Sequence, residues 1–234
     1  MTTTPAALFD VDGTLLDTTY LHTLAWWEAL RQYGRAVPAV RVHRAIGMGT
    51  DQLLDHLLGD GGSGSDGDGD RDRSEDDALA AAHDALYARY WPVVRPLPGA
   101  ADLLRACAGR GWRVVLASSA GERELAVLRA VLAADDVITA VTTADDVAAT
   151  KPAPDLVRAA LDLADSAPGH AVFVGDTLWD VTAAGRAGVP CVAVETGGHS
   201  AQDLLGAGAA EVHADAAELL AGLDGSLLAR PRVG

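Results

Sequence analysis

Two aspartates two residues apart, Asp10 and Asp12, follow a short apolar run, Ala6-Ala7-Leu8-Phe9, and precede Gly13-Thr14. The apolar run reads as a buried strand (6–11), and the glycine lets the backbone turn where regular alternation ends. A turn there brings both carboxylates and the intervening carbonyls to one crevice, outside the carboxyl ends of the strands, where open α/β sheets carry their chemistry. Paired acids in such a crevice can hold a divalent cation through oxygen ligands. They can also divide the work of nucleophile and general acid. The competing reading is a solvated Asp-Gly turn, and the pentapeptide alone does not choose between them. Three further sites stand at the end of an apolar strand or in the loop just after one: Ser118, Lys151, and the pair Asp176/Asp180. Lys151 is also the one lysine of the chain; every other fixed cation is arginine.

The elements that must position these residues follow from the pattern of the chain. A helix runs from a cap at Asp17 or Thr18 to about Tyr33, another from Pro38 to about Ile46, and a third, capped by Thr50, from Asp51 to Leu58. The Gly/Asp-rich stretch 59–74 has almost no apolar residue and reads as a flexible loop. Its alternating Asp and Gly lack the order of a calcium loop. A fourth helix follows, Glu75 to Tyr90. Residues 16–95 thus form an all-helical unit. Beyond Pro96-Leu97-Pro98-Gly99, strands near 113–117, 137–141, 171–174 and 189–194 alternate with helices near 99–109, 122–132, 155–163 and 178–187. A helix capped by Ser200 and a last small strand and helix, near Val212 and 218–220, close the chain. Alternation of this kind means a parallel sheet covered on both faces. The fold expected is a Rossmann-like three-layer α/β core, 1–15 and 96–234, with an inserted helical cap at 16–95.

Composition narrows the function. The 234 residues, 49% of them hydrophobic, can bury a sizeable core. A formal net charge of −15 excludes nucleic acid and anionic membrane as partners, because both need a basic footprint. No apolar run reaches the roughly 20 residues of a membrane helix, and the first residues carry no signal core, so a cytoplasmic location is expected. Cys107 and Cys191 are too few and too isolated for a disulfide framework or a zinc site.

Taken together the four sites suit phosphoryl transfer. A carboxylate attacks phosphorus, a carboxylate-bound cation neutralises phosphoryl oxygens, a hydroxyl and an ammonium bind the remaining charge, and a second carboxyl protonates the leaving group. In order and spacing, Asp10-Val11-Asp12-Gly13-Thr14, Ser118, Lys151-Pro152 and Gly175-Asp176-Thr177-Leu178-Trp179-Asp180 resemble the four motifs of the haloacid dehalogenase-like hydrolase superfamily. The helical insert is similar to the small cap of its phosphoglycolate phosphatase and β-phosphoglucomutase branch. The resemblance implies Asp10 as nucleophile and Mg²⁺ ligand, and Asp12 as general acid and base with its carbonyl also on Mg²⁺. It implies Ser118 and Lys151 as phosphoryl-binding residues and Asp176 as a metal ligand. Asp180 would be a ligand through water or the partner that positions Lys151, and Thr14 would shape the first loop and bind substrate. Ser119 competes with Ser118, which follows the strand directly.

The function expected is a Mg²⁺-dependent phosphatase acting on a small phosphorylated metabolite, as a monomer or weak homodimer. An acid at Asp12 separates the chain from the dehalogenases, and the cap has no lysine for Schiff-base chemistry. A sugar-phosphate mutase shares the same core acids and is the alternative. Receiver-like signalling modules also combine an acidic pocket with Lys-Pro, but they are shorter and lack a helical insert; a catalytically silent phosphate-binding protein on the same fold is the third reading. Cap residues expected to set the substrate are Tyr20, His22, Trp26, Trp27, His43, Arg44 and Met48. Of these, Trp26 and Trp27 read first as helix packing and His22 as structural or surface. Arg44 is preferred, because a guanidinium suits carboxylate or phosphate.

Overall fold

The computed structural model describes residues 4–59, 73–143 and 149–231. Most of the 59–74 loop expected from the sequence lies outside them. The strands β1 (Ala6–Phe9), β2 (Arg113–Ala117), β3 (Ile138–Thr142), β4 (Ala171–Gly175), β5 (Cys191–Val194) and β6 (Glu211–His213) form one all-parallel sheet in the order β3-β2-β1-β4-β5-β6. β1 is therefore central, with Phe9 in register with Leu116 of β2 on one side and Val174 of β4 on the other. The strand order reverses between β1 and β4, which is where sheets of this kind open a crevice beyond their carboxyl ends.

Alternation along the strands explains the layers. Ala7 and Phe9 point to one face with Val114, Leu116, Val172 and Val174. That face is covered by α5 (Ala100–Gly109), α6 (Glu122–Leu132) and α10 (Ala216–Ala221). Ala6 and Leu8 point to the other face with Val115, Ala117 and Phe173. It is covered by α7 (Asp155–Leu163), α8 (Leu178–Arg186) and α9 (Ala201–Ala207). Central strands buried on both faces account for the near-continuous apolar runs in the sequence. The last strand is short and only half-buried, as an edge strand should be.

Between β1 and α5 the chain makes α1 (Thr19–Gln32), α2 (Ala39–Ala45), α3 (Thr50–Leu58) and α4 (Arg73–Tyr87), then a 3-10 turn at Ala88–Val93. These helices enclose a separate apolar cluster of Trp26, Leu30, Val42, Leu53, Leu54, Leu57 and Leu79. The entry and exit of the helical unit lie side by side: Leu97 N–H donates to Leu15 O at 2.9 Å and Asp17 N–H to Arg95 O at 3.0 Å. Two connections held together this way let the helices sit over the carboxyl edge of the sheet.

Two helix caps differ from the sequence reading. Thr18 occupies the position before α1 but makes no capping hydrogen bond; its hydroxyl is used elsewhere. Gly49 stands before α3, leaving Thr50 as the first helical residue. No described helix is long and apolar enough to cross a membrane.

Candidate active site

The loops after β1 and β4, together with the single lysine, meet at the switch point. Asp10 N–H still donates to Val174 O at 2.9 Å, so the ladder holds the backbone of the first acid rigidly beside β4. Gly13, at φ +78°, then turns the chain, and a Cβ there would collide with Asp176 Oδ2. A Cβ at Gly197 would meet the same oxygen. Both glycines therefore leave room around one carboxylate oxygen of a fully buried aspartate.

Lys151 Nζ lies 2.5 Å from Asp10 Oδ1 and 2.7 Å from Asp180 Oδ1. Asp180 closes a capping box at the start of α8. Its Oδ2 accepts from Thr177 N–H at 3.1 Å and Thr177 Oγ1 at 2.6 Å, while Asp180 N–H donates to Thr177 Oγ1. One acid thus serves the helix with one oxygen and the ammonium with the other. Thr14 Oγ1 donates to Asp176 Oδ1 at 2.7 Å and lies 3.4 Å from Asp10 Oδ2. Thr196 Oγ1 donates to Gly13 O at 2.5 Å and fixes the turn.

Burial sets the protonation of these groups. It pushes the Asp10 carboxyl up to about 7 even though the ammonium of Lys151 pulls it down. It pushes Asp176 well above the usual carboxylate range, helped by the neighbouring charges of Asp180 and Asp10. For Lys151 burial opposes the charge, but Asp10 and Asp180 outweigh it and hold the ammonium charged.

A cation fits this donor set. Ligand oxygens of Asp10, Asp176 and Asp180 all lie within 4.8 Å of one another. Asp176 Oδ2 is buried and has no hydrogen-bond partner among the described residues. Three buried carboxylates face one ammonium, which leaves negative charge uncompensated. The donors are hard oxygens, as Mg²⁺ and Ca²⁺ require.

Asp12 is differently placed. Its side chain is partly exposed and turned toward the helical unit. Thr18 Oγ1 donates to Asp12 Oδ1 at 2.7 Å, and His22 Nε2 lies 3.2 Å from the same oxygen. Burial would raise the Asp12 carboxyl, but the charge and hydrogen bond of His22, aided by Thr18, bring it below its ordinary value. His22 is raised in turn: burial works against its protonation and the Asp12 carboxylate overrides it. Behind His22, His83 Nε2 lies 3.2 Å from His22 Nδ1, and His83 Nδ1 lies 2.9 Å from Asp84 Oδ1. Glu124 of α6 approaches His22 Nε2 to 3.8 Å, and burial, with Asp12 next, pushes its carboxyl up to about 7.

Asp12 opens into a cavity of about 780 Å³ between the helical unit and the sheet. Of the cap residues expected to face substrate, His22, Trp26 and Met48 line it. Arg44 does not: it is exposed, and its backbone carbonyl accepts from Trp179 Nε1 at 3.1 Å, an attachment of α2 to the start of α8. Standing in the last turn of α2, it carries an exposed side chain, while Met48 just beyond it lines the cavity. Tyr20 stacks on His43 at 5.0 Å, and His43 Nε2 lies 2.9 Å from Gly197 O. Trp27 packs beside the helical cluster with Arg31 over its ring. Ser118 is buried after β2, with its Oγ accepting from Ala120 N–H at 3.1 Å, whereas Ser119 lines the cavity.

Thr18, His83, Tyr87 and Glu124 were not among the sequence candidates. A signal existed for two pairs. Thr18 and His22, and His83 and Tyr87, are each four residues apart and so share a helix face. The two faces meet, with the His22 and Tyr87 rings stacked at 3.8 Å.

Fold and site define an α/β protein with an acidic, cation-ready pocket at the switch point of a doubly wound sheet. The chain belongs to the haloacid dehalogenase-like hydrolase family, whose model matches residues 4–188. It is 33% identical over 223 residues to the phosphoglycolate phosphatase of Rhodospirillum rubrum, covering 92% of this chain and 88% of that one. Among solved structures, a hydrolase from Pseudomonas syringae superposes with a TM-score of 0.85 at 31% identity, covering 94% and 98% of the two chains. CbbY from Rhodobacter sphaeroides, a mutant solved in complex with xylulose-(1,5)bisphosphate, superposes at 0.71 with 27% identity, covering 94% and 99%.

Proposed function

We propose that this hydrolase is a Mg²⁺-dependent phosphatase that cleaves a small phosphate monoester through an aspartyl phosphate on Asp10. The observation that carries the reading is the Asp10 carboxylate pinned by Lys151 beside the unpartnered oxygen of Asp176. The family and the phosphoglycolate phosphatase relative support the reaction class.

Mg²⁺ would be held by Asp10, Asp176 and the backbone carbonyl of Asp12, and when bound supplies charge neutralisation for the phosphoryl oxygens. Lys151 keeps one Asp10 oxygen fixed, which orients the carboxylate for in-line attack and adds positive charge where the phosphoryl group gathers negative charge. Ser118 completes that binding from the end of β2. Asp180 acts through Lys151, since both its oxygens are already engaged. Thr14 orients Asp176.

In the first half-reaction an Asp10 oxygen bonds to phosphorus and the ester oxygen leaves. The proton held between Asp12 Oδ1 and His22 Nε2 goes to that leaving oxygen. In the second, Asp12 takes a proton from water, the water oxygen bonds to phosphorus, and the bond to Asp10 breaks to release phosphate. Thr18 and His22 hold Asp12 toward the cavity, where a leaving alcohol sits, and away from the buried acids. The helical unit serves as the cap that excludes bulk water during the first step.

Hydrolysis of 4-nitrophenyl phosphate by the purified chain tests the reading. Activity should require Mg²⁺, vanish with chelator, and fall at least about a thousandfold in Asp10→Asn, since no nucleophile remains. Full activity in that variant overturns the proposal.

A further inference from the structure

The cavity beyond Asp12 has a chemistry of its own. One wall is aromatic: Trp26, Tyr87 and Trp91 line it, from α1, α4 and the turn after α4. The rest is acidic. Asp51, Asp84, Glu122 and Glu124 all line it, contributed by α3, α4 and α6. Among the described lining residues Arg123 is the one fixed cation, and its guanidinium lies over the Trp91 ring at 5.2 Å. Arg44, the cation the sequence offered for a second anionic group, lies outside the cavity.

The phosphoryl end of a substrate belongs at Asp10 and Lys151, so this cavity receives the alcohol half. A carboxylate or second phosphate there meets the acidic side chains of Asp51, Asp84, Glu122 and Glu124, against Arg123, already stacked on a ring, and His22, already engaged by Asp12. Like charges repel even where, as at Asp51, Asp84 and Glu122, the acids are exposed and partly screened, and an anion brought in without a free cation partner is left unpaired. Hydroxyl and ammonium groups instead donate to carboxylates through charge-assisted hydrogen bonds. Aromatic faces also accept cations.

We infer that the alcohol half of the substrate carries hydrogen-bond donors and no negative charge: a polyhydroxylated or amine-bearing phosphomonoester, not a carboxylated or twice-phosphorylated one. The inference rests on the phosphatase reading above and goes beyond it by excluding the doubly anionic compounds associated with relatives of this chain. Charge, not size, is the discriminating property.

Size-matched esters test it. Initial rates of the full chain with Mg²⁺ are measured on 2-hydroxyethyl phosphate, 2-aminoethyl phosphate and phosphoglycolate, and on glucose 6-phosphate against 6-phosphogluconate. 4-Nitrophenyl phosphate monitors the chemistry. In each set kcat/KM for the non-anionic members should exceed that of the carboxylate by tenfold or more, mainly through KM. Glu122→Lys, which places a cation on the α6 side of the cavity, should raise the phosphoglycolate to 2-hydroxyethyl phosphate ratio at least fivefold. Equal or better turnover of the carboxylates, with aryl phosphate hydrolysis intact, overturns the inference and leaves the phosphatase reading standing. Loss of all Mg²⁺-dependent hydrolysis, aryl phosphate included, overturns the reading beneath it and the inference with it.

Discussion

Asp176→Asn should make the metal-free protein more stable while removing its response to Mg²⁺. Asp176 is fully buried, and Lys151 pairs with Asp10 and Asp180 instead. Its ligand oxygen lies within 4.8 Å of those of both other acids. Two unit charges at that distance repel by about 3 kcal/mol at an effective dielectric near 20. The group can escape by taking a proton, which at pH 7 costs a carboxylate about 4 kcal/mol relative to the unfolded chain. Either way the metal-free fold carries a burden of a few kcal/mol. Asparagine removes it and keeps the acceptor for Thr14 Oγ1, and its amide can donate to the neighbouring carboxylates. After relaxation a gain of about 2–3 kcal/mol remains, which for a chain of this length raises Tm by roughly 4–12 °C.

The pH dependence of that gain is fixed in sign. The Asp176 carboxyl is raised in the fold, so the folded state binds more protons above the unfolded carboxylate range. The burden therefore grows as pH rises above about 4 and disappears below it, and the gain in Asp176→Asn should follow the same course. Calorimetry in chelator and then in saturating Mg²⁺ reads both effects. The wild-type chain should gain about 3 kcal/mol at a hundredfold excess over Kd, and the variant little. A variant less stable than wild type without metal, or one that gains as much from Mg²⁺, refutes the placement of the cation.

Three other variants probe the same pocket from other sides. Lys151→Met leaves Asp10 and Asp180 facing each other unpaired; in chelator it should lose about 3–5 kcal/mol, a fall in Tm of roughly 6–20 °C by calorimetry. Asp12→Asn removes both the proton donor and the base; rapid-quench measurement should show both half-reactions slowed by at least about a hundredfold, with Mg²⁺ binding retained. His83→Gln removes a histidine that burial pushes down to about 4 from an ordinary value of 6.5. Below pH 6.5 the unfolded state takes up the proton that the fold resists, so the wild type loses stability as pH falls toward 4. Relative to wild type the variant should gain up to about 3 kcal/mol across that window, measured by urea unfolding.

The sheet was legible because its central strands are buried on both faces and so are written as continuous apolar runs. The acids at their ends were legible because they break those runs. The strand placed near 137–141 lies at Ile138–Thr142, and the last strand is short and half-buried, so edge elements carried the weakest signal. Thr18 misled as a helix cap because a hydroxyl before a helix normally accepts from its backbone; here it donates to Asp12. Asp180 offered two readings, helix-terminal acid and partner of Lys151, and a carboxylate with two oxygens satisfies both. Trp26 packs within the helical cluster, as its residue type suggests, and also lines the cavity. His22 lies on the cavity wall and Arg44 outside it. Residue type favoured the arginine, yet the turn of helix on which each stands decides which one reaches the crevice. A tertiary approach such as α4 against α1, which brings His83 and Tyr87 to His22, leaves no mark at short range in the chain.

The most direct test of the account is to trap the covalent intermediate. The chain is mixed with Mg²⁺ and 4-nitrophenyl phosphate, quenched, and reduced with borohydride, which converts an acyl phosphate of aspartate to homoserine; peptide mass spectrometry then locates the change. Homoserine at position 10, dependent on both substrate and Mg²⁺, is the expected result. Turnover with no reduced residue, or reduction at Asp12 or Asp176 instead, would contradict it.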